Sequence, residues 1–356
     1  MRDAPPEPSP PALIGLATAV PPTCIRQDEI LQSAHQIFGR RFDGFDRMAQ
    51  VFTTSGIDTR HLARPIDWYL QDRGWQDRNA AYLEVATDLF VQAATAALQA
   101  AGRGADRVDV IITVSSTGIA TPGLDALAAA RMGFRADATT IPVFGWGCAG
   151  GAAGLALAAD LAQARPGSLV LLVAVELCSL SFRRDVLTKE NMVATALFGD
   201  GAAAAVVSSD GTPGLALRQP RRYRWPQTLG IMGWRVEDDG LGVIFDRSIP
   251  AFAARHLGET LATLWPAAVG PAPTRHVCHP GGAKVITALE GVLGLDEGTL
   301  AAERAILARY GNMSAPTVLF VLEAALKAGP ITDGLLLALG PGFSLAGLRL
   351  GAGHAG

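Results

Sequence analysis

Three short stretches of the chain are almost unbroken in apolar character: residues 108–114 (VDVIITV), 169–175 (LVLLVAV) and 334–339 (GLLLAL). Each is bounded by turn residues, which is the pattern of a strand buried on both faces. Ala-rich stretches at 152–164 and 316–327 have helical character and lie between them. Strands alternating with helices predict an α/β architecture whose sheets are covered by helices.

The order of elements repeats. A strand near Ile141 leads through a Gly-rich loop to Cys148, a helix to Ala164, a Pro-Gly break at 166–167 and the 169–175 strand. Phe-Gly-Asp-Gly at 198–201 and the apolar run 202–207 follow. In the second half, a helix from Ser314 ends at Gly329-Pro330, and the 334–339 strand runs into Gly-Pro-Gly at 340–342. The spacing that sets Leu169 against Leu335 also sets Cys148 against Ser314. The strand end at 115–117 similarly matches the one at His279. Duplication predicts a pseudo-two-fold axis that brings both helix N-termini and both strand ends to one place. The turn-rich stretch 209–214 (SSDGTPG begins at 208) marks the boundary. The expected organisation is a Pro-rich tail over 1–11, one half over 12–211 with the cysteine, and one over 212–356 with the histidine and asparagine.

The 356 residues, 49% hydrophobic, are ample for a large core. A net charge of −3 and a pI of about 6.1 argue against a nucleic-acid binder. The arginines at 218, 221, 222 and 224 read as a solvated loop. Four cysteines do not make a disulfide scaffold and suit a reducing cytoplasm. The N-terminus lacks the apolar core of a signal peptide, and no apolar run reaches the ~18 residues of a membrane span. The expectation is a soluble cytoplasmic protein.

Cys148 lies in FGWGCAGG at 144–151, between an apolar strand and an Ala-rich helix. Glycines on both sides permit a tight turn and close approach of a substrate. A thiol at a helix N-terminus feels the positive end of the dipole, which favours the thiolate that attacks thioesters. The alternative is an inert buried cysteine. His279, in HVCHPGG at 276–282, ends a strand before a Gly-rich helix entry; a lone histidine can equally be structural. Asn312, in YGNMSAPT at 310–317, would alone be a helix cap, but beside Cys and His it can donate to a developing oxyanion. His276 and Cys278 would face away from His279 on a strand, and no ligand pairs with zinc spacing exist. Gly199-Asp200-Gly201 is not a dinucleotide fingerprint, and there is no Gly-x-Ser-x-Gly elbow.

Over about residues 12–351 the chain resembles the chalcone synthase-like, or type III polyketide synthase, family. The matching motifs are GCAGG at 147–151, LFGDGAA at 197–203, HPGG at 279–282, GNMS at 311–314 and GPG at 340–342. The last three are similar to this branch rather than to ketoacyl-carrier-protein synthase III, which shares the fold and the Cys/His/Asn set. The resemblance implies a thiolase-like fold of two duplicated halves in a layered αβαβα arrangement. It implies that Cys148 carries the starter and growing chain, paired as thiolate with His279. His279 and Asn312 would bind the malonyl-CoA thioester carbonyl while loss of CO2 creates an enolate, and the linear polyketide would then cyclise. CoA thioesters are substrates, and no metal or redox cofactor is implied.

Phe198 aligns with a gatekeeper between the CoA tunnel and the cavity, and the second gatekeeper position falls at Val243, a small aliphatic residue. Ser116, Thr117, Cys178 and Ser181 align with cavity-lining positions, and Gly282 and Ser314 belong to the substrate-binding motifs. Arg60 is the basic residue near the family's CoA-phosphate site. The family implies a homodimer, with Thr121 near the partner's cavity. The segment 64–82 resembles bacterial members that make alkylpyrones or alkylresorcinols from fatty acyl starters, which the 6% aromatic content accommodates. Two other readings are a ketoacyl synthase III-like enzyme and a non-catalytic thiolase-fold subunit; the intact Cys148, His279 and Asn312 weigh against the second.

Overall fold

A computed structural model of the chain describes residues 10–39, 41–266 and 273–352. Most of the Pro-rich tail expected over 1–11 lies outside the described residues.

The expected buried strands form at Val110–Val114, Leu169–Leu177 and Asp333–Gly340. They belong to a nine-stranded sheet with the order Arg275–Cys278, Asp333–Gly340, Ser344–Ala352, Leu215–Arg224, Ala12–Ala19, Asp200–Ser208, Leu169–Leu177, Val110–Val114 and Thr139–Val143. In the first half, Leu169–Leu177 pairs antiparallel with Asp200–Ser208 and parallel with Val110–Val114. In the second, Asp333–Gly340 pairs antiparallel with Ser344–Ala352 and parallel with Arg275–Cys278. The same order runs outward in both halves. The copies diverge where the first half has strand Thr139–Val143, since the matching chain in the second half is helix Ala301–Tyr310.

Side-chain alternation shows the layers. Val110, Ile112, Val114, Val170, Leu172, Ala174, Leu336 and Ala338 enter one core, with helices Gly150–Ala164 and Thr317–Ala328. Their neighbours Ile111, Leu171, Val173 and Val175 enter a second, under helices Gln27–Phe38 and Trp75–Ala100. Leu335, Leu337 and Leu339 enter a third, under Ile249–Leu264 and Ala283–Leu293. Each strand is apolar at successive positions because both faces are covered. Strand Ala12–Ala19 pairs with Asp200–Ser208 along its length but with Leu215–Arg224 only at Ala12–Ala216 and Leu13–Leu215. The sheet opens at that seam, and its two parts enclose the central helices. The result is helix, sheet, helix, sheet, helix.

The arginines at 218, 221, 222 and 224 are not in a loop. They lie on strand Leu215–Arg224, paired with Ser344–Ala352, and Arg222 stacks over the Trp146 ring at 4.2 Å. Their interrupted composition hid a strand whose outer part is solvent-exposed. Among the described residues no helix is long and apolar enough to cross a membrane.

Candidate active site

The two central helices begin at the same place. Cys148 sits in a short turn, Gly147–Ala149, that feeds helix Gly150–Ala164. Gly147 has φ +45°, and a Cβ there would lie 2.7 Å from Pro341 Cγ. A Cβ on Gly151 would lie 2.2 Å from the Ala315 carbonyl oxygen. Glycine at these positions lets the cysteine loop touch the start of the other half's helix. Ser314, on that side, holds φ +59°.

Asn312 joins the groups. Its Oδ1 accepts from the Ser314 backbone N–H at 2.8 Å and lies 3.9 Å from Cys148 Sγ. Its Nδ2 donates to the Gly281 carbonyl at 3.2 Å. These partners fix the amide's orientation, because the N–H of Ser314 requires an acceptor and the carbonyl of Gly281 a donor. One Nδ2–H remains free. His279 ends strand Arg275–Cys278, its backbone N–H donating to the Leu337 carbonyl at 2.9 Å. Its side chain is buried, and neither ring nitrogen has a hydrogen-bond partner. Buried polar groups are rarely left so; the ring lies against Gly281, whose carbonyl takes the Asn312 amide, and an orphaned imidazole there marks a place for a polar ligand. Gly282, at the head of helix Ala283–Leu293, comes within 4.0 Å of Leu197 through its Cβ position.

Burial sets the resting charges. It pushes the Cys148 thiol up to about 11 despite the Ser314 and Asn312 contacts that favour the thiolate. It also pushes the His279 imidazole down to about 3. Desolvation is the first cause of both shifts; it favours the neutral thiol and the neutral imidazole and opposes the thiolate that a helix N-terminus favours.

Ser116, Thr117 and Glu176 form a buried cluster. The Glu176 carboxylate accepts from the Ser116 backbone N–H at 2.9 Å and from Thr117 Oγ1 at 2.8 Å, while Oε1 has no partner. Burial pushes this carboxyl up to about 8. Ser116 Oγ accepts from the Gly145 N–H at 3.0 Å, which steadies the loop before Cys148. Cys178 is buried, and Ser181 Oγ donates to its carbonyl at 2.7 Å. Glu176 stood in the sequence as a lone acid closing an apolar strand, the one signal that could have singled it out. Thr121 is exposed on a surface loop.

Phe198 belongs to an apolar cluster against which Val243 packs, and aromatic rings lie between and around them. Val243 lies directly across from Trp234 in the hairpin of Met232–Glu237 and Gly240–Phe245. The Trp234 ring packs edge-on to Phe198 at 5.9 Å, and Phe245 at 6.4 Å. A small residue at 243 therefore leaves no bare wall beside Phe198, because Trp234 and Phe245 supply the aromatic surface. Cross-strand register, invisible before the hairpin is closed, decides this.

Arg60 requires a correction. It is 1% exposed, its Nη1 donating to the Phe198 carbonyl at 2.7 Å and its Nη2 to Gln27 Oε1 at 2.8 Å. Burial pushes its guanidinium down to about 9, with Asp200 opposing. A group committed to interior carbonyls does not serve a CoA phosphate at the surface. All four cysteines are free. Among the described residues no group of three His, Cys, Asp or Glu side chains is placed to hold a metal.

The chain matches the family model for the N-terminal domain of chalcone and stilbene synthases over residues 7–211 and that for the C-terminal domain over 220–352. It is 40% identical to the 1,3,6,8-tetrahydroxynaphthalene synthase of Streptomyces peucetius subsp. caesius, covering 92% of this chain and 89% of the relative. It is 32% identical to a putative chalcone synthase of Bacillus subtilis (strain 168), covering 93% and 96%. The crystal structure of 1,3,6,8-tetrahydroxynaphthalene synthase from Streptomyces coelicolor A3(2), a bacterial type III polyketide synthase, superposes with a TM-score of 0.90 at 30% identity, covering 97% of this chain and all of that one. With the thiolase-like layers and both family domains in place, the chain belongs to the chalcone and stilbene synthase family and is a bacterial type III polyketide synthase, an acyltransferase of the condensing type.

Proposed function

We propose that Cys148, His279 and Asn312 carry out iterative decarboxylative condensation of malonyl-CoA onto a medium- or long-chain fatty acyl starter, with cyclisation to an alkylpyrone or alkylresorcinol. The observation that carries the chemistry is the orphaned, buried His279 ring, which lies against Gly281, together with the Asn312 amide that donates to the Gly281 carbonyl. Transfer of the Cys148 proton to His279 keeps the pair's net charge at zero. The thiolate then attacks the acyl-CoA carbonyl, and the departing CoA sulfur takes the proton. With His279 neutral again, an N–H of its ring and the Asn312 amide donate to the malonyl thioester oxygen. The bond to the carboxylate breaks, CO2 leaves, and its electron pair forms an enolate stabilised by those donors. The enolate carbon attacks the Cys148 thioester, and the cysteine sulfur leaves as thiolate.

The starter reading is supported by a narrow cavity of about 50 Å³ bordered by Cys178 and Phe198. Its walls include Ile30, Ala34, Ile37, Ile66 and Leu70, which suit an alkyl segment. A second reading, favoured by the names of the Streptomyces relatives, is a tetrahydroxynaphthalene, a product that carries no alkyl chain. Mass spectrometry of products from purified protein, given malonyl-CoA with and without acetyl- to palmitoyl-CoA, separates them. Products that incorporate the alkyl chain support the first. Full-rate polyketide formation from malonyl-CoA alone, unaffected by fatty acyl-CoA, overturns it in favour of the second. We also propose a cytoplasmic homodimer with Thr121 near the partner's cavity; the exposed Ile119, two residues before Thr121, and the exposed Phe144 suit a buried contact. An active monomer in light scattering would refute it.

A further inference from the structure

Residues 196–199 run from the last turn of helix Lys189–Leu197 into extended backbone at Phe198, and two different parts of the molecule hold this helix exit. On one side, the Asn312 N–H donates to the Leu197 carbonyl at 2.8 Å and the Gly199 N–H to the Asn312 carbonyl at 3.0 Å. Phe198 and Asn312 thus form an isolated parallel bridge between the halves. On the other side, Gln27 Nε2 donates to the Ala196 carbonyl at 2.9 Å and Arg60 Nη1 to the Phe198 carbonyl at 2.7 Å. Arg60 Nη2 donates to Gln27 Oε1 at 2.8 Å, so the two side chains brace each other. Both are buried, and the Arg60 Nε has no partner at all. A guanidinium left partly unsatisfied in the interior is costly, so its retention calls for a role beyond packing.

We infer that Gln27 and Arg60 are positioning residues that set the Asn312 amide, through the 196–199 segment, for enolate stabilisation. The inference rests on the role proposed above for Asn312. The contacts form one chain: Gln27 and Arg60 fix the carbonyls on either side of Leu197, the segment fixes the Asn312 backbone, and the backbone fixes the amide that touches substrate. The same clamp holds the backbone of Phe198. Cys148 stands outside it, on the helix Gly150–Ala164 side. Loosening the clamp therefore damages decarboxylation more than acyl loading. A small misplacement of a catalytic group costs about a hundredfold when it approaches 1 Å, and a partial loosening less.

The test measures acylation of Cys148 by intact-protein mass spectrometry, malonyl-CoA decarboxylation by CO2 release, and Tm. The proteins are wild type, Arg60→Lys, Gln27→Met, Asn312→Ala and the Arg60→Lys/Asn312→Ala double variant. A lysine reaches one carbonyl but cannot also brace Gln27. Arg60→Lys is expected to lower kcat for decarboxylation roughly tenfold, with KM and the acylation rate within about threefold. Added to Asn312→Ala, it is expected to cause no further loss of decarboxylation, because both changes remove one interaction. Equal losses in acylation and decarboxylation, additive losses in the double variant, or an unaltered Arg60→Lys enzyme would each overturn the inference. If Arg60→Lys does not fold, Gln27→Met carries the same expectation, and failure of both to fold makes the pair structural and overturns it. Retained CO2 release in Asn312→Ala would instead remove the proposed role of Asn312 itself, so the two failures are distinct.

Discussion

Gly199→Ala probes the bridge between the halves with one methyl group. A Cβ at this position would lie 2.3 Å from the Tyr310 carbonyl oxygen and 3.3 Å from Arg60 Cβ. Ordinary contacts begin near 3.4 Å, so the 196–199 segment and the 310–312 chain must separate by about 1 Å. Neither side yields easily: the obstacle is backbone, and Gly311 on that side already approaches the Leu197 carbonyl, at 2.8 Å from its own Cβ position. Overpacking of this kind costs about 1–3 kcal/mol. Weakening the two bridge hydrogen bonds adds roughly 1 kcal/mol. The expected destabilisation is about 2–4 kcal/mol. At roughly 2 °C per kcal/mol for a chain of this size, Tm falls by about 4–8 °C. Decarboxylation is expected to fall by up to about a hundredfold through displacement of Asn312. Cys148 acylation should suffer much less. Gly74→Ala is the control, since a Cβ there meets nothing within 4 Å and the backbone is extended at φ −83°. Differential scanning calorimetry and CO2 release measure both effects. A Gly199→Ala protein within about 1 °C of wild type in Tm, with decarboxylation intact, would refute the reasoning.

Cys148→Ala is expected to abolish acyl loading and condensation, whereas Cys178→Ala and Cys278→Ala retain loading; mass spectrometry of acylated protein distinguishes them. Stability should fall at both ends of the pH range. His279 has a folded pKa near 3, below its ordinary 6.5, so its contribution is present above 6.5 and lost as pH falls toward 3. Glu176 is raised from 4.5 to about 8, so its contribution is present below 4.5 and lost as pH rises through 8. Urea unfolding between pH 5 and 9 should therefore show a shallower alkaline decline in Glu176→Gln than in wild type; equal slopes would contradict this. Val243→Phe should leave the chain-length profile of kcat/KM for acyl-CoA starters unchanged, because Trp234 and Phe245 already wall Phe198 and the apolar starter cavity is lined elsewhere. A loss for long starters, worth at most about fourfold per excluded methylene from ~0.8 kcal/mol, would place residue 243 on the starter path.

The apolar runs at 169–175 and 334–339 were enough to place two doubly covered strands, because a strand buried on both faces must be apolar at consecutive positions. The Gly-rich flanks of Cys148 announced a tight turn for the same local reason, and the matched spacing of Cys148 and Ser314 foretold that two helix starts would meet. These features depend on neighbours a few residues away or on a repeat within the chain. What the sequence left undecided depends on distant partners. Arg60 looked like a surface cation near a phosphate site, and only the folding of its strand against Phe198 and Gln27 turned its charge inward. The arginines of strand Leu215–Arg224 found their pairing partner over a hundred residues away. Trp234 and Phe245 reached Phe198 through hairpin register. The charge state of Cys148 and His279 was likewise a tertiary matter. A helix N-terminus favours thiolate locally, whereas desolvation grows with everything packed around the site and pushes both groups toward their neutral forms.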